Sequence, residues 1–125
     1  MSKAHLAIFA MSAACIPLAA SSALAGTDPG FTYFAQQCGG CHSVKQGEVR
    51  VGPSLHRIHN RPAGQMKGFS YSEALKKSKL RWDAKTLDRW IADSSATVPG
   101  TTMYFRQVDA KKRKAIVDFL KNNKL

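Results

Sequence analysis

Cys38-Gly39-Gly40-Cys41-His42 is a C-x-x-C-H run, the spacing by which a chain attaches a c-type haem. On one helical turn residues i and i+3 lie on the same side, so both thiols can add to the two vinyl groups of one haem. The adjacent imidazole then falls where its ring reaches the iron as proximal ligand. Other chemistries also use closely spaced cysteines. A thiol–disulfide redox pair normally accompanies a βαβ pattern, which is missing here. A zinc site would need a second ligand pair, and no other Cys follows residue 25. The motif therefore predicts one covalent haem c, held through Cys38 and Cys41, with His42 on the iron.

Upstream, Met1–His5 is weakly basic and residues 6–20 (LAIFAMSAACIPLAA) are almost wholly apolar. Ser21-Ser22-Ala23-Leu24-Ala25 closes the run with small residues at −3 and −1, the pattern of a secretory cleavage site. We read residues 1–25 as a signal peptide cut after Ala25, and 26–125 as one domain. Export to the periplasm fits the motif, because the thiols leave the reducing cytosol before attachment. Cys15 loosely resembles a lipoprotein cleavage box, but Ser12 stands where such boxes want Leu. Pro17 interrupts a run already short of the ~20 residues that span a membrane, against an uncleaved anchor.

The 125 residues carry 19 Lys+Arg against 8 Asp+Glu, a net charge of +11. Loss of Lys3 with the leader lowers this to +10, since all acids lie beyond residue 25. The length allows one small domain and leaves no room for a two-domain enzyme with a nucleotide-binding half. At 44% hydrophobic and 22% charged residues the chain is that of a folded soluble protein. Such a charge favours acidic partners, anionic lipid surfaces or nucleic acid, and an exported haem protein rarely meets the last.

The rest of the chain reads as all-α. Asp28-Pro29-Gly30 can open a helix, with Phe31, Phe34 and Ala35 on one face. Residues 45–70 hold Gly47, Gly52, Pro53, Pro62, Gly64 and Gly68, so they are loop, and a loop this long wraps something. Tyr71–Lys79 reads as a short basic helix. Asp83 or Thr86 starts another, with Leu87, Trp90 and Ile91 on one face. Ser94–Thr102 is irregular around Pro99-Gly100. Asp109–Lys121 is the clearest helix, its stripe formed by Ala115, Ile116, Phe119 and Leu120. No segment alternates with period two, and no repeat occurs. Three to four helices with few large apolar residues make a thin core that a cofactor should fill.

The iron has a second axial position. Beyond the leader there are two methionines, Met66 and Met103. Met103 follows the irregular Val98–Thr102 stretch, which can bring a thioether to the iron without helical constraint. Met66, in the long loop, is expected to face solvent or fill a gap. His56 and His59 are candidate ligands whose plainer reading is loop histidines.

In order and spacing the chain resembles the mitochondrial cytochrome c and bacterial cytochrome c2 family. The resemblance runs through Cys38–His42, Gly52-Pro53-Ser54-Leu55, Asn60-Arg61, Gly68-Phe69-Ser70-Tyr71, Trp82, Thr86-Leu87, Val98–Met103 and the last helix with Arg113. It implies a small single-domain cytochrome c fold, with long loops wrapped around one covalent haem. Met103 matches the family's distal sulfur ligand. Pro53 matches the proline whose carbonyl accepts from the proximal ring. Arg61, Tyr71 and Trp82 match groups that hydrogen-bond or neutralise the inner propionate, and Thr101 a threonine nearby. Gly30 and Phe34 match first-helix residues packed against Ile116 and Phe119. Without the family, Tyr71, Trp82 and Trp90 read as ordinary core aromatics.

Two departures stand out. Trp90 replaces a common tyrosine near the sulfur ligand, and Leu75 an asparagine of an internal water network. Gln37, Ser95, Ala96, Thr102 and Asp109 stand where the family often has lysines around the haem edge. Positive charge gathers instead at Lys76, Lys77, Lys79, Arg81 and Lys111–Lys114.

The expected function is a periplasmic one-electron carrier, monomeric and not an enzyme, meeting acidic membrane-bound or soluble oxidoreductases by charge steering, with transient membrane-surface contact. The rivals are a ligand-binding or peroxidase-like haem protein with an open iron, and a fixed electron-transfer subunit of a larger oxidoreductase.

Overall fold

The computed structural model describes residues 28–123; Cys15 and the expected signal peptide lie outside them. Five helices follow in order: α1 (Pro29–Gln37), α2 (Glu73–Lys77), α3 (Ala84–Ala92), α4 (Ser94–Thr97) and α5 (Ala110–Asn122). Among the described residues the only β pairing is one isolated antiparallel bridge between Pro62 and Arg81. Four helices match those expected. The fifth, α4, is a single turn inside the stretch read as irregular. Its start is fixed by Asp93, whose carboxylate accepts from the Ala96 amide at 2.9 Å. One turn is too short to show a hydrophobic period, which is why it escapes a sequence reading.

The helix starts are local chemistry. Asp28 accepts from the Gly30 amide at 2.8 Å, with Pro29 in the first turn. Asp83 accepts from Thr86 at 2.7 Å, so α3 begins at the earlier of its two candidate caps. Asp109 accepts from Lys111 and Lys112 at 2.9 and 3.2 Å. Ser72 caps α2, with Glu73 in the first turn and Lys76 and Lys77 in the last, each sign matched to the helix dipole.

Helix α5 packs on α1 and on α3. At Gly30 a Cβ would collide with the Ala115 carbonyl oxygen and the Phe119 side chain, so only glycine allows this approach. Phe119 then meets Phe34 at a tilt and Phe31 edge-on, ring centroids 5.3 and 5.7 Å away, beside the fully buried Ile116. On the other face Arg113 donates to Asp88 of α3 at 2.9 Å.

The segment from Ser43 to Tyr71 holds to the frame through backbone bonds. Asn60 donates to Trp82, Trp82 to Arg61 and Ala63 to Leu80, all within 2.8–2.9 Å. The strap so formed closes over a cavity. Eight of the twelve buried apolar side chains line it: Ile58, Leu75, Trp82, Leu87, Trp90, Ile91, Ile116 and Leu120. The core is therefore built around a space rather than around itself.

Candidate haem-binding site

The cavity measures about 330 Å³ and opens to solvent, within the roughly 300–1,000 Å³ usual for small-molecule sites. Its mouth carries the C-x-x-C-H run. The Cys38 amide donates to Phe34, so α1 winds on into the motif, and the amides of Cys41 and His42 both donate to the Cys38 carbonyl at 3.0 and 2.8 Å. This turn brings Cys38, Cys41 and His42 to one cavity wall. Cys38 is half-buried and Cys41 exposed. Burial, and secondarily the neighbouring Cys41, pushes the Cys38 thiol up to about 11, so it carries its proton at neutral pH.

His42 is buried, and its Nδ1 lies 2.8 Å from the Pro53 carbonyl oxygen. A carbonyl only accepts, so the proton sits on Nδ1 and Nε2 keeps its lone pair. Burial holds the imidazole below its ordinary pKa, against the opposing effect of the Pro53 bond, and this favours the neutral ring that a metal needs. The fit is close on one side. A Cβ at Gly52 would run into the ring, and the Gly52 amide is tied to the Cys41 carbonyl at 2.8 Å.

Met103 lies half-buried on the same cavity, with Thr101, Thr102, Tyr104 and Phe105. The turn before it contains Gly100 at φ +87°, a left-handed conformation that suits glycine. Thr101 is buried, and its hydroxyl accepts from the Met103 amide at 3.4 Å. Arg61, Tyr71 and Trp82 complete the set of expected residues on the cavity. Arg61 uses Nη1 and Nη2 to hold the carbonyls of His56 and Ser54 at 2.9 and 3.1 Å. Burial lowers the Arg61 pKa and raises that of Tyr71, while their mutual attraction opposes both shifts. Trp82 meets Trp90 edge-on at 5.2 Å, and Leu75 lies on the same lining. The residues of both departures thus face the cofactor space.

Met66, His56 and His59 do not line this cavity. His56 Nδ1 is buried without a hydrogen-bond partner among the described residues. His59 instead borders a separate recess with Arg57 and Lys121.

Several contributors escaped the sequence reading. Arg50 donates through Nη1 to the Gly39 carbonyl inside the motif, and is held by Glu48 at 2.8 Å. Glu48 in turn accepts from the Ser43 hydroxyl at 2.8 Å, which together with Arg50 depresses its pKa. The available signal was that Glu48 is the one acid between residues 43 and 72. Ser94 braces the Met103 segment. Asp109, which stands at a lysine position of the family and at the expected start of the last helix, is the cap of α5.

The donor set suits haem c: two thiols on one turn, an imidazole oriented by its second nitrogen, and a soft thioether, all on a mostly apolar cavity. The family model described as Cytochrome c matches residues 27–124. Cytochrome c2 iso-2 of Magnetospirillum molischianum is 40% identical over 88 residues, 70% of this chain and 91% of its own. Cytochrome c2 of Blastochloris viridis is 33% identical over 123 residues, 97% and 93% of the two chains. Among solved structures, cytochrome cH from Methylobacterium extorquens superposes with a TM-score of 0.68 at 39% identity, covering 74% of this chain and 94% of that one. The chain belongs to the cytochrome c family, electron-transfer proteins rather than enzymes, and takes one covalent c-type haem through Cys38 and Cys41.

Proposed function

We propose that the mature protein is a soluble, monomeric periplasmic one-electron carrier whose iron is held by His42 and Met103. One observation carries the axial assignment: of the described histidines and methionines, only His42 and Met103 line the cavity. Bound haem supplies reversible one-electron chemistry, and Met/His ligation raises its potential. The chain does the rest. Cys38 and Cys41 would tether the group, Pro53 would fix the tautomer and orientation of His42, and His42 and Met103 would hold the iron, leaving no place on it for substrate. Arg61, Tyr71, Trp82 and Thr101 would hold the propionate side by charge and hydrogen bonds.

Electrons would pass at the mouth, where Cys41, Val51, Thr102 and Tyr104 are exposed and uncharged. Brief encounters with acidic oxidoreductases are steered by the cations of α2 and α5, and nucleic acid is not a partner. Residues 1–25 act as the export signal that takes the chain to the periplasm. Among the described residues no helix is long and apolar enough to cross a membrane, which agrees with a free carrier.

Periplasmic extract resolved by size exclusion, with covalent haem followed in the fractions, tests this reading. The expected result is haem-bearing chain, shortened at its N-terminus, eluting as a free monomer. Haem protein retained in the cytoplasm, or eluting only within a larger assembly, would contradict it.

A further inference from the structure

Ser94, the first residue of α4, has 0% of its surface exposed, yet it is polar. Its hydroxyl is in hydrogen-bond contact with the Met103 carbonyl and accepts from the Phe105 amide at 2.9 Å. Its own amide donates to the Phe105 carbonyl at 3.1 Å. A hydroxyl has one proton. The contact with Met103 is the shorter, whereas the Phe105 carbonyl, 3.2 Å from the hydroxyl, already receives the Ser94 amide. The proton therefore goes to Met103. Apart from this bond, among the described residues the Met103 backbone has only the 3.4 Å contact of its amide with Thr101. Further along, the Gln107 amide donates to Ile91 of α3 at 2.9 Å, so the segment is zipped to the frame on one side of Met103 and joined to it at Met103 by Ser94 alone.

We propose that Ser94 is a positioning residue that clamps the Met103 segment and sets how readily its thioether leaves the iron. The proposal rests on the reading of Met103 as a ligand. Without the hydroxyl the closed segment leaves the half-buried Phe105 amide and the Met103 carbonyl without their partner, which disfavours the closed form. An external ligand that binds only the open form gains apparent affinity in proportion to the open fraction. Loss of one such bond is expected to raise that fraction on the order of tenfold.

The test uses oxidised holoprotein titrated with imidazole as the probe, read by the visible spectrum. Ser94→Ala should bind imidazole about tenfold more tightly than wild type. Ser94→Thr, which keeps the hydroxyl, should restore wild-type affinity wherever it folds. Val117→Ala is the control, because Val117 is buried in α5 and does not line the cavity; it should lower stability and leave imidazole affinity alone. Amide exchange in the wild type reads the same clamp without a mutation. The Phe105 amide should be protected in free oxidised protein and lose that protection when imidazole saturates the iron. Unchanged affinity in Ser94→Ala, an equal gain in Val117→Ala, or Phe105 protection indifferent to imidazole would each overturn the clamp. Wild-type protein without the red-edge absorption of a Met–iron bond would instead overturn the ligand reading beneath it.

Discussion

At the scale of single residues, the proximal side depends on Gly52. Any larger side chain there must displace the His42 ring or the Gly52-Pro53 segment that accepts its proton. Gly52→Ala is therefore expected to lower the yield of attached haem and to destabilise what forms by about 1–3 kcal/mol, the usual cost of overpacking. Haem absorbance per protein and urea unfolding measure the two effects, and a normal yield with wild-type stability would contradict them. The C-x-x-C-H run was legible because its chemistry is set by spacing within one turn. Pro53 is eleven residues from His42, and only resemblance pointed to it. The Ser43–Glu48–Arg50 chain left only the isolation of Glu48 as a signal, since it joins a hydroxyl, a carboxylate and a guanidinium across a loop with no periodicity.

At the scale of elements, caps decide where helices start, and they were legible at Asp28, Asp83 and Asp109 because a cap is a contact over two or three residues. The length of α2 was not, since Lys79 lies at φ +53° and Ser78 bonds back to Leu75, which stops the helix two residues early. Asp109 offers a pH test. The Lys112 amide above all, helped by the Lys111 amide and both lysine charges, holds its carboxyl below the ordinary range against opposing desolvation. A depressed carboxylate contributes stability that is present above its unfolded pKa, roughly 3.9, and lost as pH falls through the folded value. Asn caps equally well but does not titrate. Wild type should thus lose stability more steeply than Asp109→Asn below about pH 4, as followed by thermal unfolding; parallel curves would count against the cap. The α1–α5 crossing offers a second test. Gly30→Ala pushes Ala115 and Phe119 away, and about 1–3 kcal/mol of destabilisation is expected by urea unfolding, with the haem spectrum retained.

At the scale of the whole molecule, most of the buried apolar surface faces the cofactor space, so fold and haem depend on each other. A ligand that binds only the folded state adds its binding free energy to stability, and a covalent one cannot be diluted away. Chain made with Cys38→Ala and Cys41→Ala, hence without attachment, is expected to lose the cooperative thermal transition seen by circular dichroism in the holoprotein. A sharp transition in that variant would show a core that stands by itself. The thin core and long wrapping loop were legible from composition. How the loop closes was not, because it depends on three backbone bonds between residues 60–63 and 80–82 that carry no side-chain signal.

Charge acts at the same scale. Lys76, Arg113 and Lys114 of the expected basic clusters are paired with Glu73, Asp88 and Asp118. The net charge nonetheless stays far positive, so association with an acidic redox partner should slow as salt rises through the range where the Debye length falls below about 10 Å. Stopped-flow rates that ignore ionic strength would remove steering from the account.

The central claim is an iron closed on both sides, by His42 and Met103. It is tested most directly by the optical spectrum of the purified holoprotein, oxidised and reduced, with and without carbon monoxide. The account predicts a low-spin c-type spectrum that ignores carbon monoxide, with the red-edge band of a Met–iron bond in the oxidised state. A high-spin spectrum, or a shift at low carbon monoxide, would mean that Met103 does not hold the iron and that the protein binds ligands instead.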